Sequence, residues 1–103
     1  MAKVLFTISY ELNPEKREEY FKAIKELKLL VKTEGIESYN VYEVKGKPNH
    51  FQEIYVFANE EVYDNYDDNT DERVNLLISK ITDMTVNHSA KYTTLVELPE
   101  LEP

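Results

Sequence analysis

Tyrosine is the residue type in this chain with the widest chemical reach: there are eight, beside four phenylalanines and no tryptophan. A phenol joins an aromatic body to a hydroxyl that donates or accepts, so a pocket lined by several of them suits a planar, partly polar ligand. Tyr10, Tyr39, Tyr42, Tyr55, Tyr63, Tyr66 and Tyr92 fall on segments with strand periodicity or early in the second helical segment. Tyrosine also has high strand propensity and fills half-buried sheet faces, which accounts for most of these positions structurally.

Other groups able to move protons or hold metals are few. His50 opens a strand beside the Pro48, Asn49 turn and His88 sits in a connection, so both are expected at the surface or an edge. His88 and Ser89 are neighbours and point to opposite sides of an extended chain, which excludes a triad built on them. With no cysteine there is no disulfide, thiolate metal site or cysteine nucleophile. Gly35 and Gly46 are the only glycines, too few for a phosphate-cradling loop. Asp67, Asn69 and Asp71 match the first, third and fifth positions of a calcium loop. Glu72 and Ile78 then stand where glycine and a bidentate acid are needed. A solvated break in a helix is the expected role of this run, and neither a metal nor a cofactor is expected.

The formal charge is −8, and residues 60–72 (EEVYDNYDDNTDE) carry seven acids and no base, an acidic lip that leaves the remainder near neutral. Such a balance opposes nucleic acid as a partner, because that affinity comes largely from basic residues meeting phosphates. The run His50-Phe51-Gln52-Glu53-Ile54 also lacks the glycine and basic flank of an RNA-recognition strand. No stretch reaches the ~18 apolar residues of a membrane span. The N-terminus enters a strand pattern directly, so a cytoplasmic protein is expected and the Asn87-His88-Ser89 sequon reads as a chance match.

The elements that must position these residues follow from hydrophobic period. Residues 3–12 alternate, with Val4, Phe6, Ile8, Tyr10 and Leu12 on one face. Asn13 and Pro14 then cap and open a helix in which Tyr20, Phe21, Ile24, Leu27, Leu30 and Val31 recur to about Thr33; Glu34 and Gly35 stop it. Strands are expected at 38–45 and 50–58 around a Lys45-to-Asn49 turn. The second of these carries Phe51, Tyr55 and Phe57 on one face and Gln52, Ile54, Val56 and Ala58 on the other. Asn59 caps a second helix, broken at Asp67-Asp68-Asn69 and recapped by Thr70, before a fourth strand at 91–98. The order β-α-β-β-α-β, with an echo between halves at an offset of 46 (Ile8 with Ile54, Asn13 with Asn59), predicts an α+β, ferredoxin-like fold: an antiparallel sheet with both helices on one face. Residues 1–98 form the expected single domain and 99–103 a tail. Apolar side chains on both faces of the strands, Phe6 and Phe51 among those expected on the uncovered face, predict a homodimer packed sheet to sheet over about 1,200 Å² or more.

The chain resembles the dimeric α/β-barrel superfamily, and within it the antibiotic-biosynthesis-monooxygenase-like small proteins. The resemblance rests on Tyr10-Glu11-Leu12-Asn13-Pro14, on Glu34-Gly35 before the strand holding Tyr39, and on Phe57-Ala58-Asn59-Glu60-Glu61 entering the second helix. It implies a cavity and, in some members, cofactor-free oxygenation of quinol-like aromatics. The tryptophan common at the end of the family's third strand is Phe57 here, and the later histidine or tryptophan is Tyr66. Positions used by haem-degrading members hold Ile8 and Leu76, and none of that branch's three signature side chains is present, which argues against haem. The expected ligand contacts are Tyr66, near the cavity mouth, with Tyr10, Tyr55, Phe57 and Ile8. Two functions are expected from this reading: a ligand-binding dimer with monooxygenase-type chemistry, or a non-catalytic assembly protein that dimerises through its sheet.

Overall fold

The computed structural model describes residues 2–31, 35–66 and 72–101. Strand β1 (Val4–Glu11) lies centrally, pairing antiparallel with β3 (His50–Phe57) on one side and β4 (Lys91–Val96) on the other; β2 (Ile36–Glu43) pairs with β3, giving the order β2-β3-β1-β4. This is the expected α+β, ferredoxin-like sheet, open at both edges. Its register sets Val4, Phe6, Ile8 and Tyr10 on the same face as Phe51, Glu53, Tyr55 and Phe57.

Helix α1 (Arg17–Leu30) buries Tyr20, Ala23, Ile24 and Leu27, and α3 (Glu72–Asp83) buries Val74, Leu77 and Ile81, each a stripe at helical spacing laid on that face. Asn13 caps as expected, its side chain accepting from the Glu15 N–H, but the first turn is a 3₁₀ segment (Pro14–Lys16) closed by the Lys16 N–H on the Asn13 carbonyl. Asn59 repeats the role for the short α2 (Glu60–Asn65), accepting from the Val62 N–H at 2.9 Å. The expected break at Asp67-Asp68-Asn69, the Thr70 cap, Asp71 and the Glu34 stop lie outside the described residues, whereas α1 ends at Leu30 with Val31 as its C-cap, short of the expected Thr33. Gly35 has φ +95°, the left-handed conformation expected beyond a helix end. β4 stops at Val96, opposite the first residue of β1, rather than continuing to residue 98; Pro99 begins a 3₁₀ turn.

The structure corrects one argument about the sheet. Phe6 and Phe51 point toward the helices, with Phe51 buried, so neither belongs to the uncovered face. That face instead carries Leu5, Thr7, Ile54, Val56 and Leu95 at its centre, with Ser9, Gln52, Ser38 and Asn40 around them. The echo between halves holds for the two caps but not for the strands: Ile8 faces the helices, whereas Ile54 pairs with Thr7 and faces away. No helix among the described residues is long and apolar enough to cross a membrane.

Candidate functional site

Alternation along β3 places Glu53 between Phe51 and Tyr55 on the helix-facing side, and the residue is only 4% exposed. A carboxylate there must find partners, since burial of an unpaired charge costs far more than a buried hydroxyl. Two phenols supply them. The Tyr10 hydroxyl on β1 donates to Oε2 at 2.7 Å, and the Tyr39 hydroxyl on β2 donates to Oε1 at 2.6 Å. With its proton committed to Glu53, Tyr10 accepts from Tyr20 on α1, whose hydroxyl lies 2.6 Å away. The Tyr55 ring packs against that of Tyr39, with centroids 4.5 Å apart. Four elements therefore converge on a single carboxylate, and every described buried side-chain polar atom is partnered.

Burial pushes the Glu53 carboxyl above the ordinary range, against the opposing pull of the Tyr39 and Tyr10 hydrogen bonds. The phenols of Tyr10, Tyr39 and Tyr55 are raised by burial first and by the adjacent Glu53 charge second. Tyr20 is raised by burial, with the hydrogen bond to Tyr10 acting in the opposite direction. All four phenols therefore stay protonated near neutral pH and serve as donors.

Glu53 and Tyr10 also form part of the wall of a cavity of about 250 Å³ between the sheet and α3. Phe6, Ile8, Tyr55 and Tyr92 line the sheet side; Val74, Ile78 and Ile81 line the helix side, with Asn75 and Thr82 adding uncharged polar groups and Tyr66 also on the wall. An apolar cavity of about 150 Å³ holds benzene, so this space suits a molecule of one or two rings. The volume is well above a collapsed interior and somewhat below the ~300 Å³ typical of larger ligand sites.

Of the residues expected to contact ligand, Tyr66, Tyr10, Tyr55 and Ile8 line this cavity. Phe57 does not: it is fully buried and packs edge-on against Tyr63 and Tyr66, with ring centroids 5.3 and 5.1 Å away. It supports Tyr66 from behind. Glu53 was not among the expected contacts, although strict alternation from Phe51 to Tyr55 already places it on the apolar face. His50 is half-buried at the start of β3, its Nε2 4.0 Å from the Glu11 carboxylate and away from the cavity. The His88 side chain lies outside the described part of the structure.

No protein-family model and no curated protein matches the chain. Solved structures do match. A conserved protein of unknown function from Bacteroides thetaiotaomicron, described as a possible oxidoreductase, superposes with a TM-score of 0.74 at 19% identity, covering 92% of this chain and 97% of its own. A candidate antibiotic biosynthesis monooxygenase from Nitrosomonas europaea gives 0.78 at 9% identity, with coverages of 94% and 91%. A structure described as an antibiotic biosynthesis monooxygenase gives 0.69 at 17%, with coverages of 95% and 97%. The chain has the fold of the antibiotic-biosynthesis-monooxygenase-like proteins, as the sequence resemblance implied, and the likeness extends over nearly its full length.

Proposed function

We propose that the cavity between the sheet and α3 binds a small, hydroxyl-bearing aromatic molecule and that Glu53 moves a proton on it, in the manner of a cofactor-independent oxygenase of quinol-like substrates. The observation that carries this reading is the position of Glu53: a buried acidic residue on the wall of a largely apolar, aromatic cavity. A carboxylate in such surroundings is a stronger base than one in water. Tyr10, which touches both the cavity and Glu53, offers a path by which a ring hydroxyl gives up its proton.

Loss of that proton makes the ring electron-rich enough to reduce dioxygen directly. In the overall reaction a CH₂ carbon of the keto tautomer becomes C=O; one oxygen atom enters the new carbonyl and the other leaves as water with the two hydrogens. The substrate supplies every electron. The protein's part is to orient the ring against Tyr55 and Tyr66, exclude water, and accept and return the proton at Glu53.

The same reading includes a homodimer. The uncovered sheet face has Leu5, Ile54, Val56 and Leu95 at its centre, and its charged residues, Lys3, Glu11, Lys91 and Glu97, fall only at strand ends. An apolar centre inside a polar rim is the anatomy of an interface. Sedimentation should give twice the 12.1 kDa chain mass, and a monomer at micromolar concentration would refute the dimer.

Oxygen uptake with a panel of quinols and polyphenols tests the chemistry. The expected result is turnover that falls about 100-fold or more in Glu53→Gln, the usual scale for loss of a positioned base, with a smaller loss in Tyr66→Phe. Uptake that does not exceed the Glu53→Gln control would overturn the oxygenase reading.

A further inference from the structure

Glu53 is surrounded by neutral groups. Tyr10 faces it from β1, Tyr39 from β2 and Tyr20, through Tyr10, from α1, while Tyr55 neighbours it on β3. The polar side chains that α3 places on the cavity wall, Asn75 and Thr82, are also uncharged. Among the described residues no lysine, arginine or histidine pairs with this carboxylate. Buried charges in proteins are ordinarily paired with an opposite charge. Glu53 is also a lining residue of the cavity, so a ligand there lies beside it.

The rest of the wall is suited to a positive charge. Phe6, Tyr55, Tyr66 and Tyr92 are on it, with Phe6 stacked on Tyr92 at 6.1 Å and tilted against Tyr55 at 5.9 Å. Aromatic rings attract cations through their quadrupoles, more strongly where water is excluded. We propose that the preferred ligand of this cavity is a hydroxyl-bearing aromatic ring that also carries an alkylamine arm, whose protonated amino group is the counter-ion of Glu53.

This proposal rests on the reading of the cavity as a ligand site and names the class of molecule it takes. It also links recognition to chemistry. With a neutral ligand, the buried carboxyl has no opposite charge to hold it ionised. An ammonium group pairs with the carboxylate and holds it in the ionised form. An anionic ligand meets a like charge in a medium that screens it poorly, and is rejected.

The test is calorimetric titration of the full chain at pH 7.5 with 2-phenylethylamine, 2-phenylethanol and 3-phenylpropanoate, which share a ring and differ in the charge of the arm. The expected result is an amine preference of about tenfold over the alcohol, the scale of a desolvated cation against rings and a counter-charge, with the carboxylate weakest. In Glu53→Gln that ratio should fall to about one. Thr82→Lys, which adds a positive charge to the cavity wall from α3, should bring the amine-to-alcohol ratio to one or below whatever its effect on the absolute affinities, so the proposal stays open to test if Glu53→Gln fails to fold. Equal binding of amine and alcohol, or an amine preference that survives both substitutions, overturns the amine proposal while leaving the ligand cavity standing. Failure of all three compounds to bind removes the cavity reading as well.

Discussion

The Tyr10 hydroxyl lies 2.7 Å from the Glu53 carboxylate although the two residues are not cross-strand partners: Tyr10 pairs with Phe51, and Glu53 pairs with Ile8. The contact is a diagonal one, within reach only because a tyrosine is long enough to span it. This diagonal leaves Ile8 directly opposite the carboxylate, an apolar neighbour that keeps water away. Glu53 is thereby raised in its proton affinity chiefly by desolvation.

The sign of the resulting pH dependence follows from linkage. Between the unfolded-state value of about 4.3 and the higher native value, the folded protein holds a proton on Glu53 that the unfolded chain releases, so stability falls as pH rises through that window. Glu53→Gln keeps the shape and cannot ionise. Urea midpoints measured from pH 4 to 9 should show the wild type losing stability relative to Glu53→Gln as pH increases. Parallel curves would show that Glu53 is ionised in the folded state throughout.

Tyr10→Phe and Tyr39→Phe each remove one of the two hydroxyls that donate to Glu53. Each is expected to cost about 1–3 kcal/mol, the scale for leaving a buried polar partner unsatisfied. Tyr10→Phe also strips Tyr20 of its acceptor, so it should be the more damaging of the two. Because both hydrogen bonds favour the charged form, either change should raise the Glu53 proton affinity further. The measurement is denaturant unfolding of each variant and of its double with Glu53→Gln. Strict additivity in the doubles would mean that the hydroxyls do not couple to the carboxylate.

The caps and the strand alternation were legible from the sequence because they are local. Asn13 before Pro14 and Asn59 before Glu60 act through bonds two or three residues away, and both are found. The chemical centre was harder to see. Glu53 lies on an apolar face by alternation, but an acid there looks like a solvated interruption until Tyr10 from β1 and Tyr39 from β2 are seen to converge on it, with Tyr20 of α1 behind Tyr10. That convergence depends on the register of three strands and the roll of a helix, none of which a single sequence encodes locally. Phe57 is placed differently from the other four expected contacts, off the cavity wall. Its place at the end of β3 suggested a ligand contact, whereas the rings of Tyr63 and Tyr66 cover it.

A second carboxylate behaves in the reverse sense. Glu43, at the end of β2, takes a bidentate pair from Arg17 at 2.9 and 3.1 Å and the Asn49 N–H at 2.9 Å, and these bonds lower its pKa to about 2. The Arg17 guanidinium also lies 4.9 Å from the Phe21 ring and 5.5 Å from the Phe51 ring, tying the start of α1 to the β2–β3 turn. A depressed carboxylate contributes stability above its unfolded value, and that contribution is lost as pH falls from about 4.3 toward the native value. Arg17→Lys, which cannot make the planar two-bond contact, should flatten this acid limb and reduce the salt sensitivity of unfolding. An acid limb identical to that of the wild type would contradict the assignment.

Gly35 controls the entry to β2 and the position of α2. Its φ of +95° is strained for any L side chain, and a Cβ built there would overlap Cγ1 of Val62 on α2, while the Ala58 N–H bonds to the Gly35 carbonyl at 2.9 Å. Gly46, at φ +85°, has nothing within 4 Å of such a Cβ. The two glycines therefore separate conformational strain from collision. Gly46→Ala should cost about 1–2 kcal/mol, the left-handed penalty alone. Gly35→Ala should cost clearly more, with part of the excess recovered by Val62→Ala in the same chain. The displaced α2 is also capped by Tyr66, which lines the cavity, so Gly35→Ala should weaken ligand binding whereas Gly46→Ala should leave it unchanged. Unfolding midpoints and calorimetric titration of the three variants check both halves, and equal costs at the two glycines would show that Val62 yields without resistance.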